Sequence, residues 1–252
     1  MSMTTYAPRY QSAADVSPEI NAALLQFGLA LADTKHRYGV RLSEWSHSAP
    51  AIEASVGCAS MTQDELGHAR SLFAMLRDLP GAPADLNPET DMTREKHYNP
   101  RFLDAPWPSW ADVIAVNVLL DRALNVVFES ARRSEYGPLG GRVAKILQEE
   151  HFHHVFGESW LARLASGGDA SRDRLQSALN QVAPVASAWF GPSDDATLAT
   201  LAGAGILSAN STQLRETWLS RLTPLLERNG LSLPAVQHDW STWNAERREA
   251  ES

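Results

Sequence analysis

Residues 54–75, ASVGCASMTQDELGHARSLFAM, carry a seam when read in alternating steps of four and three: Ala54, Cys58, Met61, Glu65, His68, Leu72, Met75. That spacing is one face of an α-helix. Glu65 and His68 interrupt the apolar stripe at its middle, where an unpaired buried carboxylate would cost several kcal/mol. Something must compensate the charge. Residues 143–160 repeat the pattern as Val143, Ile146, Leu147, Glu150, His153, Gly157, Trp160. Residues at i and i+3 project from one helical face a turn apart, so in each pair a carboxylate oxygen and an imidazole nitrogen can meet one ion. One Glu-x-x-His arises often by chance; two on two seams form a constellation.

Working outward, two more seams each offer a carboxylate: Asp33 on Leu25, Leu29, Asp33, His36, Val40, and Asp121 on Ile114, Val118, Asp121, Asn125, Phe128. Asp33 precedes Glu65 by 32 residues and Asp121 precedes Glu150 by 29, an internal repeat of Asp followed one hairpin later by Glu-x-x-His. A first helix is expected from Ser17-Pro18-Glu19, with Ser17 as N-cap, to about Trp45, and a second to about Leu76. Prolines 80, 83, 88, 100, 106 and 108 make the next segment a long crossover. A third helix opens at Ser109 with a capping box to Asp112 and runs to about Glu135; Gly137-Pro138 turns the chain, and a fourth helix spans about Leu139 to Ala165. Further helices are expected near 171–190, 195–206 and 211–228, with the tail after Pro234 unassigned. The fold expected is all-α: a ferritin-like four-helix bundle with a long crossover between helices 2 and 3 and additional C-terminal helices. It reads as a single domain over 1–252, with a metal-binding bundle of about 17–166 and an extension of about 169–252.

Packed about a pseudo-twofold axis, such halves place Asp33, Glu65, His68, Asp121, Glu150 and His153 together, the ligand set of di-iron or di-manganese carboxylate bundles. Four carboxylates balance two divalent ions. Oxygen donors with two imidazoles and no thiolate suit iron, the first choice, or manganese. Glu65 and Glu150 are the candidate catalytic carboxylates. Glu44 competes with Asp33 for the first-helix role, but it lies 11 residues nearer the turn. His36, three residues after Asp33, could serve as a seventh ligand but reads better as a polar residue near the helix end, and Glu149, His151 and His154 flank the fourth-helix pair as surface or supporting groups.

Composition narrows the alternatives. A net charge of -8 argues against nucleic acid as a partner. The pairs Arg132-Arg133 and Arg247-Arg248 then read as solvated helix faces. One cysteine, Cys58, excludes an internal disulfide and reads as core packing; it fits a reducing compartment, and cytoplasmic placement is the expectation. No run approaches the roughly 20 apolar residues of a membrane span, and MSMTTYAPRYQS at the start lacks the apolar core of a signal peptide. Trp189, Trp218, Trp240 and Trp243, half of the eight tryptophans, lie in the C-terminal third, where interface and core roles are equally open.

QDELGHAR (63–70) and QEEHFHHVFGESWLARL (148–164) resemble the metal-binding segments of the phenylacetic acid catabolic protein family, the ferritin-like subunits of multicomponent phenylacetyl-CoA epoxidase. The resemblance covers about residues 20–170 and implies that the six residues above ligate two Fe ions. It implies an oxygenase subunit that activates O2 to epoxidise or hydroxylate an aromatic acyl-CoA. The chain has no flavin, nicotinamide or iron-sulfur motif, so a separate reductase is implied, beside a homologous ferritin-like subunit in a homo- or hetero-oligomer. RLSEWSHSAP (41–50) and SWLARLASG (159–167) are more similar to the family's scaffolding branch. A non-catalytic scaffolding subunit, or a stand-alone ferritin-like iron or peroxide protein, is the alternative.

Overall fold

A computed structural model describes residues 6–86 and 94–251; Pro88 and the first five residues of the N-terminal segment lie outside the described residues. Helix α1 spans Pro18–Trp45, and Ser17 caps it by accepting the Ile20 amide on its side chain at 3.3 Å. Helix α2 spans Ile52–Leu76 and packs back along α1. The crossover follows, with a short 3-10 turn at Arg101–Asp104.

Helix α3 then runs in three parts: Trp110–Val116, a π-helical segment Asn117–Asp121, and Arg122–Ser130. Ser109 is its N-cap residue, but the Ser109 hydroxyl donates to the Asp112 carboxylate at 2.6 Å instead of capping the backbone, which corrects the expected capping box. Every residue from Trp110 to Phe128 is buried. A helix buried all round needs partners on every side. The C-terminal helices supply them, which accounts for the length beyond a minimal bundle.

Helix α4 spans Gly137–Ser166; Pro138 sits in its first turn, where a missing N–H costs nothing, so the helix starts two residues earlier than the turn reading predicts. Helices α5 (Asp169–Ala188), α6 (Ala196–Gly203) and α7 (Ser211–Glu227) follow, packed against the first part of α3, against α1 and against the last part of α3, respectively. Trp189 stands edge-on to Phe27 at 5.4 Å between ring centroids, and the Trp218 indole N–H donates to the carbonyl of Leu119 within the π segment at 3.0 Å. These two tryptophans are core residues.

The tail forms a hairpin, β1 (Asp239–Asn244) with β2 (Glu249–Glu251), antiparallel. Arg248, expected on a solvated helix face, lies instead in this hairpin with no exposed surface. It pairs with Asp195 at 3.1 Å, donates from Nε to the carbonyl of Trp189 at 2.6 Å, and lies over the rings of Phe27, Trp189 and Trp243 at 5.2–5.3 Å. Arg132 and Arg133 are exposed, as expected. Cys58 is buried, and burial pushes its thiol up to about 12. Among the described residues no helix is long and apolar enough to cross a membrane.

Candidate metal centre

The α2, α3 and α4 seams converge on one buried cluster. Donor atoms of Glu65, Asp121, Glu150 and His153 lie within 4.8 Å of one another, and each residue is buried. Asp121 enters from the last position of the π segment, where a wider turn re-aims a side chain relative to a regular helix. His68 lies beside the group, its Nδ1 3.5 Å from Glu150 Oε1, and the two imidazole centroids are 6.3 Å apart.

Helix α1 contributes something the carboxylate reading did not anticipate. The Lys35 ammonium, wholly buried, donates to Glu65 Oε1 at 2.9 Å, to Asp121 Oδ1 at 2.7 Å, and to Glu150 Oε1. Asp33 is not in the cluster. Its carboxylate pairs with Arg94 and accepts the Tyr98 amide at 2.7 Å, tying the crossover to α1. Glu44 pairs with Arg41 at 3.0 Å near the surface, and His36 packs against Phe73 at 6.4 Å. The expectation of a first-helix carboxylate is therefore corrected. Positions 33 and 35 differ by roughly 200° around a helix. The stripe read from sequence has half-buried Leu25 and Val40 at its ends, whereas Leu24, Leu31, Lys35, Tyr38 and Leu42 form the more deeply buried line. Because residues 27–36 are buried on every face, no polar face marked which seam points inward.

The histidines are held from behind. The outer nitrogen of His68 meets Glu149 Oε2 at 2.8 Å, and that of His153 meets Asp64 Oδ2 at 3.3 Å. Each imidazole is thus oriented by the acidic residue that precedes the other pair's glutamate, and the motif is better written acid-Glu-x-x-His, twice. A carboxylate behind an imidazole fixes its tautomer and raises its basicity as a ligand. Glu149 takes the supporting role expected of it. Asp64 was missed, although its place beside Glu65 matches that of Glu149 beside Glu150.

Five inward atoms lack hydrogen-bond partners: Glu65 Oε2, Asp121 Oδ2, Glu150 Oε2, and the Nδ1 atoms of His68 and His153. Buried polar atoms are rarely left so. The donor chemistry, three carboxylates and two oriented imidazoles, fits a divalent metal ion.

One ammonium cannot neutralise three buried carboxylates, and the electrostatics follow from that. Burial, with Asp121 adding to it, pushes Glu150 up to about 8. Burial likewise raises Glu65 against the pull of Lys35. It opposes charge on Asp121 too, but Lys35 and His153 outweigh it and hold that carboxyl well below the usual range. Burial, assisted by Lys35 and His153, drives His68 down to about 2, so its Nδ1 carries a free lone pair. His153 goes the other way: burial opposes its charge, but the carboxylates facing its ring, Asp121, Asp64 and Glu65, hold it up to about 12.

A sequence profile described as "Phenylacetic acid catabolic protein" matches residues 3–250. Two different subunits of the 1,2-phenylacetyl-CoA epoxidase of Escherichia coli (strain K12) are similar to this chain. One is 29% identical over 192 residues, which cover 75% of this chain but only 62% of that relative. The other is 26% identical over 214 residues, 85% of both chains.

Proposed function

The chain belongs to the phenylacetic acid catabolic protein family, and from that premise and the buried cluster we propose that it is a metal-binding, ferritin-like member of a multicomponent oxygenase acting on an aromatic acyl-CoA. The observation that carries this reading is the set of five unpartnered inward donors, backed by Glu149 and Asp64. Glu65, Asp121, Glu150 and His153 would hold the metal, with His68 beside them. Iron bound there would supply the redox capacity for reductive activation of O2, which no side chain of this chain possesses.

The protein's own part is positioning and exclusion of water. Asp64 and Glu149 keep the imidazoles turned inward. The ring of Phe128 lies 5.8 Å from the Lys35 nitrogen, and the buried Met61 and Leu72 flank Glu65 and His68 one turn away on the α2 seam. Glu150, protonated up to about pH 8 in the metal-free cage, is the group that can hold a proton at the carboxylate. Electrons come from a separate reductase and the remaining contacts from a homologous subunit. We read the bundle and the C-terminal helices as one ferritin-like domain, since their apolar side chains join one core.

A second reading, a non-catalytic scaffolding subunit, is favoured by one observation: Lys35 already supplies a cation to the cage. Metal analysis of protein from iron-supplemented cells, beside Glu65→Ala and Glu150→Ala, separates the readings. Bound iron in the native chain that both variants lose is the expected result, and a metal-free native chain would sink the metal centre. With reductase and partner subunit present, acyl-CoA should accelerate O2 uptake, and oxygen-18 should enter the product. Iron without that coupling would favour the scaffold.

A further inference from the structure

The two halves of the cage match except at one place. Asp64, Glu65 and His68 on α2 are answered by Glu149, Glu150 and His153 on α4, with each half's acid holding the other half's imidazole. Asp121 of α3 is answered on α1 by Lys35. We propose that the Lys35 ammonium takes the place of a second metal, so that this cage holds a single divalent ion; the inference rests on the metal-centre reading above.

Three observations carry it. First, the three N–H donors of an ammonium are matched by three acceptors, Glu65 Oε1, Asp121 Oδ1 and Glu150 Oε1, so Lys35 is fully engaged without water. The other oxygen of each of these carboxylates is left unpartnered, together with His153 Nδ1. Each carboxylate thus gives one oxygen to the ammonium and keeps the other for a ligand, with His153 Nδ1 beside them.

Second, with the protons of Glu150 and His153 displaced by a bound metal, three carboxylates against one ammonium leave two negative charges, which one divalent ion cancels. A second divalent ion would leave two uncompensated positive charges in a buried site, an expensive arrangement. Third, Lys35 is the α1 side chain that pairs with the cluster carboxylates. Asp33 is committed to Arg94 and the Tyr98 amide. At Gly39, one turn beyond Lys35, a Cβ would fall 3.0 Å from Glu65 Cβ, so the helices touch there with no room for a ligand. The ring of Phe128, 5.8 Å from the Lys35 nitrogen, closes the amine's remaining side.

The test is a count. Metal-free native protein, Lys35→Met and Lys35→Gln are each loaded with Mn2+, desalted, and assayed for metal by mass spectrometry and for spin coupling by electron paramagnetic resonance. One Mn2+ per native chain with an isolated-ion spectrum is expected, rising to two per chain with a coupled-pair spectrum in the variants. Two ions in the native chain would overturn the proposal while leaving the metal centre standing. One ion in both native chain and variants would overturn it as well, since something other than Lys35 then sets the limit. No ion in the native chain would remove the metal-centre reading itself. If neither variant folds, the native count and spectrum decide.

Discussion

Replacing Asp64 by alanine should loosen the metal while leaving the fold intact. Asp64 touches the cluster only through His153, whose Nε2 it meets at 3.3 Å, and its side chain retains 26% of its exposure. Loss of such a supporting carboxylate typically costs 10–100-fold in metal affinity. The long contact and partial solvation place this one near the lower end, about tenfold or ~1.4 kcal/mol. Glu149 makes the shorter contact, 2.8 Å to His68, yet His68 stands outside the group of donors within 4.8 Å of one another. Glu149→Ala should therefore weaken a single bound ion by only about threefold or less, ~0.6 kcal/mol. The assay is competitive titration of Mn2+ against a chelator at fixed pH, because His153 must lose its proton to bind. Thermal denaturation of the metal-free variants controls for folding. Asp64→Ala with native affinity, or a larger loss in Glu149→Ala, would refute the argument that His153 is the principal imidazole.

Arg248→Met leaves the buried Asp195 carboxylate without its counter-charge, and should cost about 3–5 kcal/mol in urea denaturation; Asp195→Asn in the same chain should recover part of it, and a loss below about 0.5 kcal/mol would contradict a core role for the hairpin. At Gly157 a methyl group would fall 1.7 Å from Asn117 Oδ1, so Gly157→Ala must displace the Asn117 amide that donates to the Tyr38 hydroxyl at 3.1 Å, at a cost of about 1–3 kcal/mol. Gly67, with nothing within 4 Å, is the control: Gly67→Ala should stabilise by about 0.4–1 kcal/mol. In the metal-free protein Glu150 is raised from its ordinary 4.5 to about 8, so its contribution to stability is complete below 4.5 and is lost as pH rises through 8. His153, raised from 6.5 to about 12, acts in the same direction. His68 and His154, both lowered by burial, act in the opposite direction but only below 6.5, so the melting temperature of the metal-free chain should fall between pH 7 and 9, and Glu150→Gln should flatten that fall; an unchanged slope would reject the assignment.

Much of the cage was legible without coordinates. Glu65, His68, Glu150 and His153 stand on apolar seams of strict helical spacing, and Asp121 is legible for the same reason, although the π segment that aims it is not. Helix boundaries α1, α2 and α4 follow from caps and prolines to within a few residues. The C-terminal hairpin is not legible in the sequence, because a strand that pairs over a few residues of partly exposed Trp-Ser-Thr sequence has no sustained alternation to detect. Lys35 left one trace: it is one of only three lysines against 19 arginines, lodged between Leu31 and Tyr38.

The sequence by itself determined the helical class, the two hairpins with their crossover, and the pair of Glu-x-x-His turns, since all of these rest on local spacing and on residues that start or stop a helix. Only the tertiary structure decided the identity of the α1 residue in the cage. A helix buried on all sides has no polar face to set its phase, so Asp33 and Lys35 are equally good candidates until their partners are known. Arg94 of the crossover claims the aspartate; the carboxylates of α2, α3 and α4 claim the lysine. Those partners lie 30 to 115 residues away along the chain, and no local pattern records them.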